Sequence, residues 1–248
     1  MPLMDEFKEE RESIKSAPPK EKLEYFWTYY KWHVIVTVVS ILVIVSFVTT
    51  ILNKKDPGFY AVVLNGYAGP SSEDYVKNME ETLGLDTSKE QCLFDTSVYI
   101  DFEVSDQRSM ASAQKVMVYL SAGELDVMIG EVSTVQHYAY SESFADLRDF
   151  LTPEQVEKYK DRFLYMDRKI ISEKAEAMES NTTYNYAFPK DPTDPTTLED
   201  PIPVGINISD CKDITDNFAF ATPDLYICPF VNTKHADRVL TYIDSLFD

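Results

Sequence analysis

The sequence predicts an α/β protein: one N-terminal transmembrane helix, then a compact domain with a mainly parallel sheet flanked by helices. Three observations carry that expectation. Val34 to Leu52 is an uncharged run of nineteen residues, fourteen of them Val, Ile, Leu or Phe. Beyond it, short apolar runs alternate with stretches of helical periodicity, the pattern of strands returning through helices. About 190 residues follow the run, enough for one well-buried domain.

The apolar run comes first. As a helix it spans roughly 28 Å, close to the ~30 Å hydrocarbon core of a bilayer. Its polar residues (Thr37, Ser40, Ser46, Thr49, Thr50) can return their hydroxyls to the helix's own carbonyls. A buried helix of a soluble domain would show a polar stripe, and this run shows none. A cleaved leader would be short and basic and would end in a small-x-small site. Here the leader is 33 residues long with seven acidic residues, and the exit reads Asn53-Lys54-Lys55-Asp56-Pro57. Residues 33–53 therefore read as an uncleaved transmembrane helix, with the bilayer as partner of residues 34–52.

Residues 1–32 read as a cytoplasmic tail, charged from Asp5 to Lys15, that ends in an aromatic interfacial segment. Tyr25 to His33 packs six aromatic residues into nine positions, a composition suited to the headgroup region or to docking a second membrane protein. Residues 57–248 then form the extracytoplasmic domain. From Lys54 onward there are 17 basic and 35 acidic residues, a net of −18, as expected of a translocated domain rather than a cytoplasmic one. The expected location is the cell membrane, single-pass, N-terminus inside. The same acidity excludes nucleic-acid binding, which requires a basic surface.

Within the domain, Phe59 to Leu64 reads as a buried strand ended by Asn65-Gly66. Ser71 and Ser72 open a helix with Tyr75, Val76, Met79 and Leu83 on its apolar face, closed by Gly84. Val98 to Val104 alternates as a strand does. Met110, Ala113, Met117 and Leu120 fall at helical spacing, Leu125 to Ile129 is a third strand, and Ser133 to Tyr140 is a helix. Thr152-Pro153-Glu154-Gln155 carries a capping box with proline at the first helical position. Phe163 to Asp167 reads as a short strand, and Glu179 to Asp200 as irregular. Pro203 to Ile208 and Leu225 to Val231 are extended. Ala236, Val239, Leu240, Ile243 and Phe247 line a final helix.

Chemical motifs are sparse. The seven glycines form no phosphate-cradling loop, no Gly-x-Ser-x-Gly elbow is present, and no cofactor is expected. His33, His137 and His235 belong to no zinc-spaced cluster, and no catalytic residue or metal site is assigned. Asp191 and Asp194 fall short of a calcium loop. Of the three cysteines, Cys211 and Cys228 are the candidate disulfide pair, with isolated buried thiols as the alternative. Asn181-Thr182-Thr183 and Asn207-Ile208-Ser209 match the glycosylation acceptor.

One stretch carries a resemblance. Ala113 to Ile129 (AQKVMVYLSAGELDVMI) runs from a helix through a small-Gly-Glu turn into an Asp-apolar-apolar strand. Ser133 to Tyr140 is followed by Phe144-Ala145-Asp146-Leu147, and Ile227 to Ala236 (ICPFVNTKHA) joins a late strand to a helix. These segments resemble extracellular solute-binding proteins, over roughly residues 59–165 and 203–248. The anchored arrangement is similar to membrane-anchored proteins of Gram-positive, clostridial-type bacteria. The resemblance implies a type 2 periplasmic-binding-like fold with a reduced second lobe.

A ligand would then sit at the carboxyl ends of the parallel strands. That places Asn65, Gly66 and Tyr67 after the first strand, and Gly130, Glu131, Ser133 and Thr134 after the third. Turn and capping chemistry accounts for the same residues. The expected function is a non-enzymatic binding or interaction protein linked to transport or envelope sensing. Its partner is either a small molecule or a membrane or envelope protein. The alternative is an extracytoplasmic hydrolase or transferase using cleft carboxylates, Glu131 among them.

Overall fold

The computed structural model describes residues 18–52, 54–104, 106–183 and 187–247. They fall into two units, one within residues 1–54 and the other within 55–248. The charged tail expected over Asp5 to Lys15 lies outside the described residues.

The first unit is helix α1 (Pro19–Leu52). Proline opens it, where a missing N–H costs no hydrogen bond. Tyr30–Thr50 has a mean hydropathy of 2.4 and none of it is buried, so it is long and apolar enough to cross a membrane. The aromatic segment continues the same helix: Phe26 stacks on Tyr30, one turn on, at 5.4 Å. Thr49 and Thr50 both donate to the Ser46 carbonyl, at 2.9 and 2.8 Å, so neither hydroxyl needs a solvent partner.

The second unit is a three-layer α/β domain. Strands β1 (Asp56–Val63), β3 (Glu90–Asp95), β4 (Val127–Glu131), β5 (Phe163–Asp167), β6 (Pro201–Asn207) and β8 (Leu225–Pro229) form one sheet, and β2 (Tyr67–Ala68) pairs with β7 (Phe218–Ala219) in a second. The main sheet has the order β3-β1-β4-β8-β6-β5. It is mixed. β1 is parallel to β3 and β4, whereas β8 is antiparallel to β4 and β6, and β5 is antiparallel to β6. Four strands thus run one way and two against them.

Helices α2 (Ser72–Thr82), α3 (Gln107–Ala122), α4 (Val132–Ala139), α5 (Leu147–Phe150), α6 (Pro153–Tyr159), α7 (Arg168–Glu179), α8 (Lys212–Thr215) and α9 (Ala236–Ser245) complete the domain. Side chains alternate across a strand, so β1 feeds two cores: Phe59, Ala61 and Val63 enter one, Tyr60 and Val62 the other. Tyr75 and Met79 of α2 close the first core with Val239, Tyr242 and Ile243 of α9. Val116 of α3 and Val135 and Tyr138 of α4 close the second. Each such side chain contributes roughly 1.5–3 kcal/mol by leaving water. In β6 the pairing skips Val204, one residue extra against β5. Ile202 and Ile206 therefore enter opposite cores although they are four apart.

Several expectations need correction. Val98 to Val104 is not a strand. It runs as an irregular segment whose Tyr99 and Asp101 amides donate to Ser112 and Ser109 of α3, at 3.2 and 3.0 Å. The third parallel strand is Glu90–Asp95 instead. Those same serines, with Val116, form the buried face of α3, while Met110 and Met117 remain 55% and 59% exposed. Cys211 and Cys228 are free and sit in the two separate cores, so they do not form the candidate disulfide. Burial pushes the Cys211 thiol up to about 11 and the Cys228 thiol higher still.

A buried carboxylate joins β1, β4 and the turn after β8. Asp126 Oδ2 accepts the Tyr60 amide at 2.8 Å, Thr233 Oγ1 donates to Oδ1, and His235 Nδ1 lies 3.2 Å from both oxygens. The alternate residues of that turn hold α3: Asn232 Nδ2 donates to the Leu120 carbonyl and Lys234 Nζ to the Ala122 carbonyl, at 2.5 and 2.7 Å. Replacing Asp126 by Ala leaves the buried Tyr60 amide and the Thr233 hydroxyl without their acceptor. We expect a loss of about 2–4 kcal/mol, read from urea unfolding followed by tyrosine near-UV circular dichroism. A change below about 0.5 kcal/mol would remove Asp126 from this role.

A second carboxylate sets the acid response. Burial alone would raise Asp95, but hydrogen bonds from Lys115, Ser97 and Tyr60 outweigh it and hold the group below the ordinary carboxylate range. A depressed folded value means the stabilisation is complete above about pH 4 and drains away as pH falls through that lower value. Asp95→Asn should therefore flatten the decline of melting temperature between about pH 4 and pH 2. A decline as steep as in the parent would exclude the linkage.

Candidate functional site

At the carboxyl ends of β1 and β4 the structure brings together part of the expected crevice. At Gly66 a side chain would collide with its neighbours, and at Gly130 it would be tightly packed. A Cβ on Gly66 would lie 2.6 Å from Val63 Cγ1 and 2.7 Å from Phe220, and one on Gly130 would lie 3.3 Å from Leu64, Thr134 and Val135. Asn65, at φ 58°, exchanges side-chain hydrogen bonds with Ile100, giving 2.9 Å to its carbonyl and 2.7 Å from its amide. Glu131 is buried, and its Oε1 accepts the Thr222 amide at 2.6 Å. Thr134 donates to the Glu131 carbonyl.

Two further residues stay apart from these contacts. Ser133 is exposed inside α4, whose N-cap position is held by Glu131, and Tyr67 is exposed on β2. The side chains of Asn65, Glu131 and Thr134 are thus already engaged, Asn65 with the 98–101 segment and Glu131 with the loop after β7. Glu131 clasps a loop, a use that gives hydrolysis no particular support.

The better-formed site lies toward the C-terminal end of α4. Between α3, α4 and the segment after β8 is a half-open cavity of about 430 Å³, within the range of small-molecule sites. Phe102, Met117, Leu120, Tyr138 and Val231 supply most of its apolar wall, and its polar side chains include Ser141, Glu142, Ser143 and Asn232. His137 completes one wall. Its ring stacks on Phe102 at 3.7 Å and 4°, and meets the edge of Phe188 at 4.7 Å and 89°. Burial pushes the His137 imidazole below its ordinary value, so near neutral pH it is an uncharged ring.

The surroundings reinforce the groove. Besides Tyr67 and Met178, the large exposed apolar side chains described in the domain are Phe102, Val104, Met110, Met117, Val118 and Val231, all on α3 or beside it. Such clustering departs from the scattered exposure of an ordinary surface. The sequence offered a signal for it in α3, which carries apolar residues on more than one face.

Elsewhere, the pairs that look chemical are structural. Tyr75 and Tyr242 share a buried hydrogen bond of 3.0 Å, and Arg238 grips Glu90 and the Gly58 carbonyl. Asp191 and Asp194 each accept from a threonine two residues on. Among the described residues no cluster of three metal-ligating side chains occurs.

Phe102→Ala should open His137 to water and raise its midpoint toward the ordinary ~6.5, read from the imidazole C–H shift in a proton NMR titration with His137→Gln as assignment control. An unmoved midpoint would show that the Phe102 stack does not shield it. Comparison with protein-family models, with curated proteins and with solved structures finds no match to this chain, so its own geometry carries the functional reading.

Proposed function

We propose that this chain is a single-pass membrane protein whose acidic α/β domain is held outside the cytoplasm by α1 and binds a small apolar molecule in the groove between α3 and α4. The observation that carries the reading is the groove: concave, mainly apolar, and edged by a few polar groups. The domain is taken as a reduced type 2 periplasmic-binding-like lobe. Support comes from the parallel β3-β1-β4 unit with helices on both faces, and from the Asn232–His235 turn closing α3 onto β4. The groove differs in place from the strand-end crevice, where side chains are already engaged. A binding role near the bilayer fits transport or envelope sensing.

The test uses full-length protein in lipid nanodiscs with 13C-methyl methionine and 2-phenylethanol as a neutral apolar probe. The Met117 methyl signal should shift saturably while Met178, exposed on α7, stays fixed. Ala113→Phe, which fills the groove, should abolish the shift. If Met117 and Met178 move together, or the filled variant still responds, the reading fails.

A further inference from the structure

Resting on that reading, we infer that the groove selects an apolar ligand carrying a positive charge, an arylalkyl or alkyl ammonium, and that Glu142 is the residue that selects it. The lining carries little charge. His137 is uncharged near neutral pH because burial lowers its pKa, and Glu142, at the rim, is the one carboxylate among the described residues of the lining. The nearby Lys234 ammonium is turned away onto the Ala122 carbonyl at the end of α3. A net charge of −18 from Lys54 onward adds a field of the same sign.

The backbone at Glu142 is the second observation. Four helices in this domain end in the same motif, in which paired amides reach back and one residue takes the left-handed conformation. At the end of α2 that residue is Gly84 (φ 64°), with bonds to Glu81 and, from Leu85, to Glu80. At the end of α3 it is Gly123 (φ 64°), with bonds to Leu120 and, from Glu124, to Tyr119. After α7 it is Asn181 (φ 52°), with bonds to Met178 and, from Thr182, to Ala177.

All three are residue types that tolerate the left-handed region. After α4 the position is Glu142 (φ 54°), with bonds to Ala139 and, from Ser143, to Tyr138. Glutamate gains nothing from that conformation. Among the described residues, the one left-handed cap occupied by an ill-suited residue is the one on the rim of the groove. The carboxylate explains its presence there, because it puts a negative charge where the polar end of a bound molecule emerges.

The deciding experiment compares three probes of one shape: 2-phenylethylammonium, 2-phenylethanol and 3-phenylpropanoate. Each is titrated against full-length protein in zwitterionic nanodiscs at 0.15 M salt, with free concentration fixed by dialysis and the Met117 methyl shift as readout. At that ionic strength the Debye length is about 8 Å, so distant carboxylates are largely screened and Glu142 is not. The ammonium should bind about three- to fivefold tighter than the alcohol, the yield of one exposed charge pair, and the carboxylate weakest of the three. Glu142→Gln should erase the ammonium preference and leave the alcohol unchanged.

Glu142→Gly should erase the preference too and raise the melting temperature by about 2 °C through relief of the backbone conformation. Equal affinity for all three probes, or a preference that survives Glu142→Gln, overturns the inference while leaving the groove as a binding site. Failure of all three to shift Met117 overturns the binding site itself.

Discussion

Asp126 is the point at which the domain is tied together. Its main chain pairs with Tyr60 and Phe230, and its side chain takes the Tyr60 amide, the Thr233 hydroxyl and the His235 ring. One residue thereby fixes the register of β1 against β4 and anchors the turn that leads into α9. The arrangement is one-sided in energy. A buried carboxylate fully surrounded by donors adds modest net stability, but removing a donor or the acceptor exposes an uncompensated group in a low-dielectric interior. The turn serves two clients because its side chains alternate. Thr233 and His235 face the carboxylate, while Asn232 and Lys234 take carbonyls at the end of α3. The position of α3, and so one wall of the groove, follows from that clasp.

Much of the domain was legible where a local rule had one outcome. The capping box at Thr152 and Gln155 forms as written, with 3.2 Å and 3.1 Å bonds, and Gly84 ends α2 in the left-handed conformation. The apolar run of β1 and the Tyr75, Met79, Leu83 stripe also pack as their periodicities imply. The segments that misled did so for physical reasons. Glu90–Asp95 is a parallel strand with little β-branched character, and it is half-buried because it borders the sheet. Val98 to Val104 alternates as a strand would, yet its amides are held by Ser109 and Ser112. No hydropathy scale registers a serine buried because it accepts a hydrogen bond. That same substitution of serines for apolar residues turned α3 about its axis relative to expectation and left Met117 in the open.

The candidate site was less legible than the fold. Gly130 lies against Leu64 and Thr134 where β1 and β4 run parallel. Whether the polar atoms of Glu131 are free depends on the loop after β7, which lies some ninety residues away in sequence and reaches Glu131 through Thr222. The groove is composite in the same way. Phe102, Met117, His137 and Val231 come from four separated segments, and no spacing rule unites them. The cysteines illustrate the limit most simply. Two thiols can look like partners on a line of text and still be divided by the full thickness of a sheet.

One consequence concerns how the molecule can be observed. Both tryptophans, Trp27 and Trp32, belong to α1, and the domain from Lys55 onward contains none. Indole emission is therefore a private channel for the apolar helix and its surroundings, and tyrosine dichroism belongs mostly to the sheet and its two cores. The chain carries two built-in optical labels, one per unit, so a single unmodified sample can reveal whether the helix and the domain respond to heat, lipid or ligand together or separately.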